Sequence, residues 1–173
     1  KAVEQCMSKD VKALVKAPVS KESSKMAGVE YPGNTELLGA LTGSDRIAMM
    51  MVCGNIHSVM VTRHIPLSEV PSSIDPKLIA DTVMLSRDFL KKTTGKDAKV
   101  ALCGLNPHAG DNSILGTEEK TIILPACRML RKRKIKADGP LPADSAWLKT
   151  KNGEYDLICG MYHDQVMIPL KCI

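Results

Sequence analysis

Val100-Ala101-Leu102-Cys103-Gly104-Leu105-Asn106-Pro107-His108-Ala109-Gly110 is the stretch that decides how this chain is read. Its first four residues are an unbroken apolar run, the pattern of a parallel strand buried on both faces. The next seven form a loop, and Thr117-Glu118-Glu119-Lys120 beyond it opens a helix. Open α/β sheets place their ligands at such strand-to-helix loops. Gly104 and Gly110 let backbone approach a ligand closely, and Pro107 stiffens the turn. His108 is the one titratable side chain in the loop proper.

Working outward, the same alternation of strand and helix recurs. Upstream, residues 2–8 read as the end of a helix and 11–15 as a short strand closed by Ala17-Pro18. A helix over 21–27 has Ser20 as its N-cap and stops at Gly28. A turn over 31–36 feeds a helix over 36–41, with Asn34 or Thr35 as cap or, alternatively, with amides that hold an anion. A Met-rich strand over 46–52, the turn signal Gly54-Asn55 and a strand over 58–62 make an antiparallel hairpin that delivers Arg63-His64. Asp75 and Pro76 open a long amphipathic helix over 76–92. Downstream come a helix over 118–132, a short strand over 135–137 and the proline-rich stretch ending at Asp144. A buried strand over 155–161 then ends at Tyr162-His163-Asp164-Gln165, and Lys171 closes a strand-like run. The class is therefore α/β: a mostly parallel sheet flanked by helices, with one antiparallel hairpin.

Composition narrows the function classes. Aromatic residues are 3% of the chain and hydrophobic residues 44%, so the core must be built from Val, Ile, Leu, Met and Ala. The net charge is +5, with much of the excess between Arg128 and Lys136. No stacking aromatics accompany those charges, so we expect the solvated end of a helix and no nucleic-acid partner. None of the six cysteines forms a C-x-x-C pair, and most lie in apolar runs. They read as buried thiols of a reducing cytoplasm, with no disulfide framework. No apolar run has transmembrane length, so no membrane partner is expected. Neither a G-x-G-x-x-G, nor a P-loop, nor a G-x-S-x-G elbow occurs.

The histidines carry the chemistry. Of the four, His57 belongs to the hairpin turn and reads as surface. His64, His108 and His163 each follow an apolar strand closely. If those strands are neighbours, three imidazoles emerge on one sheet edge, as an open catalytic metal site requires. Hydrogen-bonded structural histidines are the alternative. Asp144 and Asp164 sit at the same kind of rim, where a carboxylate orients an imidazole, acts as a general base, or simply caps a helix. Lys171 is either a partner for a phosphate or carboxylate or a solvated lysine.

Longer motifs add a resemblance. Gly104-Leu-Asn-Pro-His-Ala-Gly110, Gly116-Thr-Glu-Glu119, Gly139-Pro-Leu-Pro-Ala-Asp144, Met161-Tyr-His-Asp-Gln165 and Ile168-Pro-Leu-Lys171 occur in the order and spacing of the 4-hydroxythreonine-4-phosphate dehydrogenase family. Pro32-Gly-Asn-Thr-Glu36 and Arg63-His-Ile-Pro-Leu67 fit upstream. That family serves pyridoxal phosphate biosynthesis and includes D-threonate and D-erythronate 4-phosphate dehydrogenases. The resemblance spans the whole chain, 1–173, as a central segment of a longer two-lobed protein resembling the isocitrate and isopropylmalate dehydrogenases. It implies NAD-dependent oxidation, with decarboxylation, of a 4-phosphorylated hydroxy acid. It implies a homodimer with shared active sites. It places a divalent metal (zinc, magnesium or cobalt) on His64, His108 and His163, acid/base chemistry on Asp144 and Asp164, and substrate contacts on Asn34, Thr35 and Lys171. Most of the NAD site would lie beyond Ile173. A metal-binding remnant without the cofactor half is the alternative, and the residues alone leave open a hydrolase that uses the same trio to activate water.

The chain also departs from the family pattern. Asn34 stands where the family usually has His, Lys16 where it has Thr, and Val166 where it has Gly. Asp111-Asn112-Ser113 replaces an acidic residue followed by glycines, which would stiffen or reshape the loop after His108.

Overall fold

The computed structural model describes residues 1–29, 31 and 33–173. They form two compact units, Lys1–Ile47 and Ala48–Ile173.

The smaller unit carries helices α1 (Ala2–Met7), α2 (Lys21–Met26) and α3 (Asn34–Thr42). Ser20 caps α2 as its sequence predicts, its side chain accepting from the Ser23 amide at 3.3 Å. The cap of α3 differs from expectation. Gly33 occupies the N-cap position and Asn34 is already helical, so neither Asn34 nor Thr35 is the cap. Asn34 is instead engaged by Lys16, whose Nζ donates to the Asn34 Oδ1. The expected strand over 11–15 does not form: this stretch is irregular, and Val15 is 95% exposed. Among the described residues it has no ladder partner, and a strand without one leaves its backbone groups to water.

The larger unit contains β1 (Met49–Cys53), β2 (Ile56–Met60), the short helix α4 (Val70–Ser73), α5 (Pro76–Thr94), β3 (Val100–Cys103), α6 (Leu124–Lys132), β4 (Ala137–Leu141), α7 (Ala143–Lys151), β5 (Leu157–Gly160) and α8 (His163–Cys172). The strands form one sheet in the order β1-β2-β5-β3-β4. β1 and β2 are the antiparallel hairpin, and every other pairing is parallel. His57 is a correction to the sequence reading. It lies within β2, its Nδ1 3.3 Å from the Asp156 carbonyl, and not in the turn.

Side-chain alternation sorts the helices onto two faces. Val59, Val100, Leu102, Leu157 and Cys159 point to the face covered by α5 and α6. Met60, Ala101, Cys103 and Ile158 point to the face covered by α7 and α8. This period of two is what strands buried on both sides impose. Helix α5 follows from its ends and its stripe. Asp75 Oδ1 accepts from the amides of Lys77 (2.7 Å) and Leu78 (2.9 Å), Pro76 fills the first position, and Ile79, Val83, Ser86 and Leu90 face inward.

Three further expectations shift. The helix placed over 118–132 begins as a π-helical turn, Glu119–Ile123, before α6. Pro125 has no N–H for the regular ladder, and a widened turn absorbs the defect. Strand β4 runs through Asp138-Gly139-Pro140, later than the 135–137 read from sequence, with a cis Gly139–Pro140 bond. It is an edge strand, where proline's missing donor faces outward. The strand-like run at 168–171 is helical, because Val166 and Leu170 are the buried positions and their spacing of four marks one helix face.

Candidate functional site

The crossover helices change face between β4 and β5, so the loops after β3 and β5 diverge to opposite sides of the sheet. A crevice opens at the carboxyl ends of the strands there, the general ligand position of open α/β sheets.

Two imidazoles meet at this edge, and backbone register brings them together. The ladder of β2 and β5 continues past the strands proper: the Val61 amide donates to the Gly160 carbonyl at 3.0 Å and the Thr62 amide to the Met161 carbonyl at 3.1 Å. The buried Thr62 hydroxyl reinforces the last rung, donating to the same Met161 carbonyl at 2.8 Å. His64 follows two residues after Thr62, and His163 two residues after Met161. Their ring centroids are 5.6 Å apart. Asp164 Oδ1 lies 2.6 Å from His163 Nδ1, which leaves Nε2 as the outward donor. Both histidines line a cavity of about 310 Å³ together with Tyr162 and Asp164.

His108 lines an adjoining cavity of about 620 Å³ with Asp144, Trp147, Tyr162 and Asp164. Tyr162 and Asp164 thus border both spaces. The loop of His108 follows an unusual course. His108, Ala109, Gly110, Asp111, Asn112 and Ser113 all have positive φ, from 41° to 80°. Left-handed backbone is sterically costly for residues with a Cβ, so the surrounding structure must hold it.

At the start of this loop stands a buried carboxylate that sequence reasoning did not single out as functional. Glu119 is 5% exposed. Its Oε1 accepts from the amides of Leu105 (2.8 Å) and Asn106 (2.7 Å), and its Oε2 accepts from Asn106 Nδ2 at 3.0 Å. Glycines flank it for want of space: a Cβ on Gly104 would stand 2.8 Å from Ala109 Cα, and one on Gly110 2.6 Å from Glu119 Oε2. Gln165 is a second bracket. Its Nε2 donates to the Gly104 carbonyl at 2.7 Å, its Oε1 accepts from the Met161 amide at 2.7 Å, and its main-chain carbonyl takes the Trp147 indole N–H at 2.9 Å. Gln165 therefore ties the end of β3 to the end of β5. Both residues sat inside quoted motifs, but only the fold shows what they touch.

The remaining expected site residues fall on three helices. Asp144 lies in the first turn of α7, with Oδ1 accepting from the Ser145 amide at 2.7 Å and its carboxylate at the larger cavity. Lys171 is in the last turn of α8, about 12 Å along the helix axis from His163. Asn34 and Thr35 belong to the first turn of α3 in the smaller unit.

As donors, two adjacent imidazoles with one ring held by a carboxylate suit a divalent cation. The trio read from sequence is met as a pair plus one, and among the described residues no three His, Cys, Asp or Glu side chains converge tightly enough to hold an ion. The buried thiols are poor candidates for it. Burial pushes the Cys127 thiol up to about 11 and Cys159 to about 12, and Cys103 higher still. The reading of the cysteines as buried holds for those three; Cys53 and Cys172 are exposed, and none is in a disulfide.

A doubly wound α/β sheet with a histidine-bearing carboxyl edge defines a class of metabolic-enzyme architecture, and close relatives sharpen it. Residues 1–173 match the family described as pyridoxal phosphate biosynthetic protein PdxA, and the chain belongs to that family. It is 40% identical over 174 residues to a 4-hydroxythreonine-4-phosphate dehydrogenase of Desulfosudis oleivorans, covering 99% of this chain and 52% of that protein. It is 36% identical over 173 residues to a D-threonate 4-phosphate dehydrogenase of Salmonella typhimurium, covering 100% of this chain and 53% of that one. The crystal structure of a 4-hydroxythreonine-4-phosphate dehydrogenase from Klebsiella pneumoniae superposes with a TM-score of 0.92 at 34% identity, over 99% of this chain and 52% of that one. The chain thus spans about half the length of the curated relatives it matches. Among the described residues, no helix is long and apolar enough to cross a membrane.

Proposed function

We propose that this chain serves a dehydrogenase that oxidises a 4-phosphorylated hydroxy acid, 4-hydroxy-L-threonine 4-phosphate or the related D-threonate or D-erythronate 4-phosphate. The observation that carries the reading is the His64–His163 pair, fixed by ladder register at the carboxyl edge of a sheet whose relatives are dehydrogenases of such substrates.

In this reading the secondary alcohol carbon gives hydride to NAD, its hydroxyl proton leaves to a base, and the resulting β-keto acid releases carbon dioxide. A divalent cation, when bound to His64, His163 and His108, supplies Lewis-acid polarisation of the substrate oxygen. Asp164 holds His163 through Nδ1 and so fixes which ring nitrogen faces outward. In the same reading Asp144, which lines the cavity that His108 also lines, takes or returns a proton, with Asp164 as the second carboxylate there. Asn34, Thr35 and Lys171 are substrate-end contacts in the same reading. Because His108 stands outside the pair, we further propose that association of two copies completes the ligand set.

Two measurements test this. NADH formation and carbon dioxide release should rise together when the protein is given one of the three phosphorylated acids; phosphate or ester hydrolysis without NADH would sink the dehydrogenase reading. Mixing His64→Ala with His108→Ala protein should restore about a quarter of wild-type activity if ligands are shared across a two-fold dimer. No restoration would overturn the arrangement in which His108 comes from a different chain than His64.

A further inference from the structure

We infer that Glu119 is a positioning residue: it holds the 104–113 loop in its left-handed course and thereby sets where His108 stands. The inference deepens the proposed function, because the loop matters for chemistry only if His108 does.

Three observations converge on this carboxylate. It is buried, yet its two oxygens receive three N–H donors, all from residues between β3 and His108. It fills the space between Gly104 and Gly110, the two ends of the loop, where any β-carbon would collide. The residues it secures run directly into the consecutive positive-φ segment. Left-handed backbone at five non-glycine residues does not persist without an external restraint. A carboxylate accepting bonds from consecutive amides is a strong restraint of that kind.

Glu118 has a separate part. It is more exposed, and its Oε2 accepts from Asn106 Nδ2 at 2.8 Å and from the Thr117 amide at 2.9 Å. It shares the Asn106 side chain with Glu119, but only Glu119 takes the Leu105 and Asn106 main-chain amides.

Glu119→Gln is the decisive variant. It keeps the shape but turns one acceptor into a donor, which must face either the loop amides or Asn106 Nδ2. NMR on the whole chain should show the Leu105 and Asn106 amides exchanging about tenfold faster or more, with the β3 amides of Ala101 and Leu102 unchanged. The His108 ring resonances should move, while those of His64 and His163 stay. Unchanged Leu105 and Asn106 exchange with an unmoved His108 would overturn the inference. So would uniform acceleration across β3, which would make Glu119 a general stabiliser. If Glu119→Gln fails to fold, Gly110→Ala, which presses a methyl on the same carboxylate, replaces it with the same readouts. Cobalt(II) titration separates the two proposals. Wild-type protein that binds no cobalt counts against the metal reading, while the exchange and ring-shift results still decide the role of Glu119.

Discussion

The two sides of the site are fixed by different means. On the β2–β5 side, His64 and His163 sit two residues past a shared ladder rung, so their approach follows from strand register. On the β3 side, no rung reaches His108, and its loop takes a left-handed course held by side chains. The first arrangement is rigid because a continuous run of main-chain hydrogen bonds ties the two strands together. The second concentrates the restraint in two buried groups, Glu119 and Gln165. A site of this kind has one ligand pair that is difficult to displace and a third group whose position can be tuned.

That contrast can be broken at several points. The largest effect should come from His163→Ala, which we expect to weaken divalent-metal affinity by more than about a hundredfold, read by equilibrium dialysis. Full retention would show that the ladder-fixed pair is not the ligand anchor. Gln165→Leu should cost about 3 kcal/mol in urea unfolding, since it strands the Gly104 carbonyl and the Met161 amide in the interior. A loss under about 0.5 kcal/mol, the range of an ordinary surface change, would mean the two strand ends do not depend on this bracket.

Smaller effects sharpen the β3 side. Asn112 has φ +55° and Ser113 +73°, so Asn112→Gly and Ser113→Gly should each stabilise by about 0.5–1 kcal/mol, raising Tm by a few degrees. Serine should gain more, because asparagine tolerates this region better. A drop in Tm would show that the loop gains from side-chain contacts what it loses in backbone strain. The smallest effect concerns acid. Hydrogen bonds, first to backbone and then to Asn106, hold the Glu118 carboxyl below its ordinary 4.5. A depressed carboxylate contributes stability that is fully present above its unfolded value and lost as pH falls through the folded one. Glu118→Gln should therefore flatten the acid limb of a stability profile below about pH 4.5 and change little at neutral pH. An unchanged acid limb would remove Glu118 from the loop's support.

The sequence was most legible where periodicity and local chemistry agree. The α/β class, the hairpin, the capped start of α5 and the β3 strand all follow from alternation, turn residues and Asp75-Pro76. The three strand-end histidines were also visible, because an apolar run followed by His needs no partner to be noticed. The end of the chain was misread because Ile168-Pro169-Leu170 looks like a strand locally, and its helical period appears only once Val166 is counted with Leu170. The Val11-to-Val15 stretch was misread for the opposite reason: strand propensity has no effect without a neighbour. Glu119 and Gln165 were out of reach as functional residues. Each acts on backbone groups of distant segments, 13 or 14 residues away for Glu119 and 61 for Gln165 to Gly104, and no short pattern encodes such a bond.

The Lys16–Asn34 contact couples two positions of the smaller unit. These are two positions where the resemblance implies other residues, threonine before Ala-Pro and histidine before Thr-Glu, and the fold joins their side chains. Two side chains that touch act as one unit in physical terms. Contacting substitutions are not additive, so restoring only threonine or only histidine would leave the other member without the partner it now has. Changing both positions together therefore differs from the sum of the two single changes.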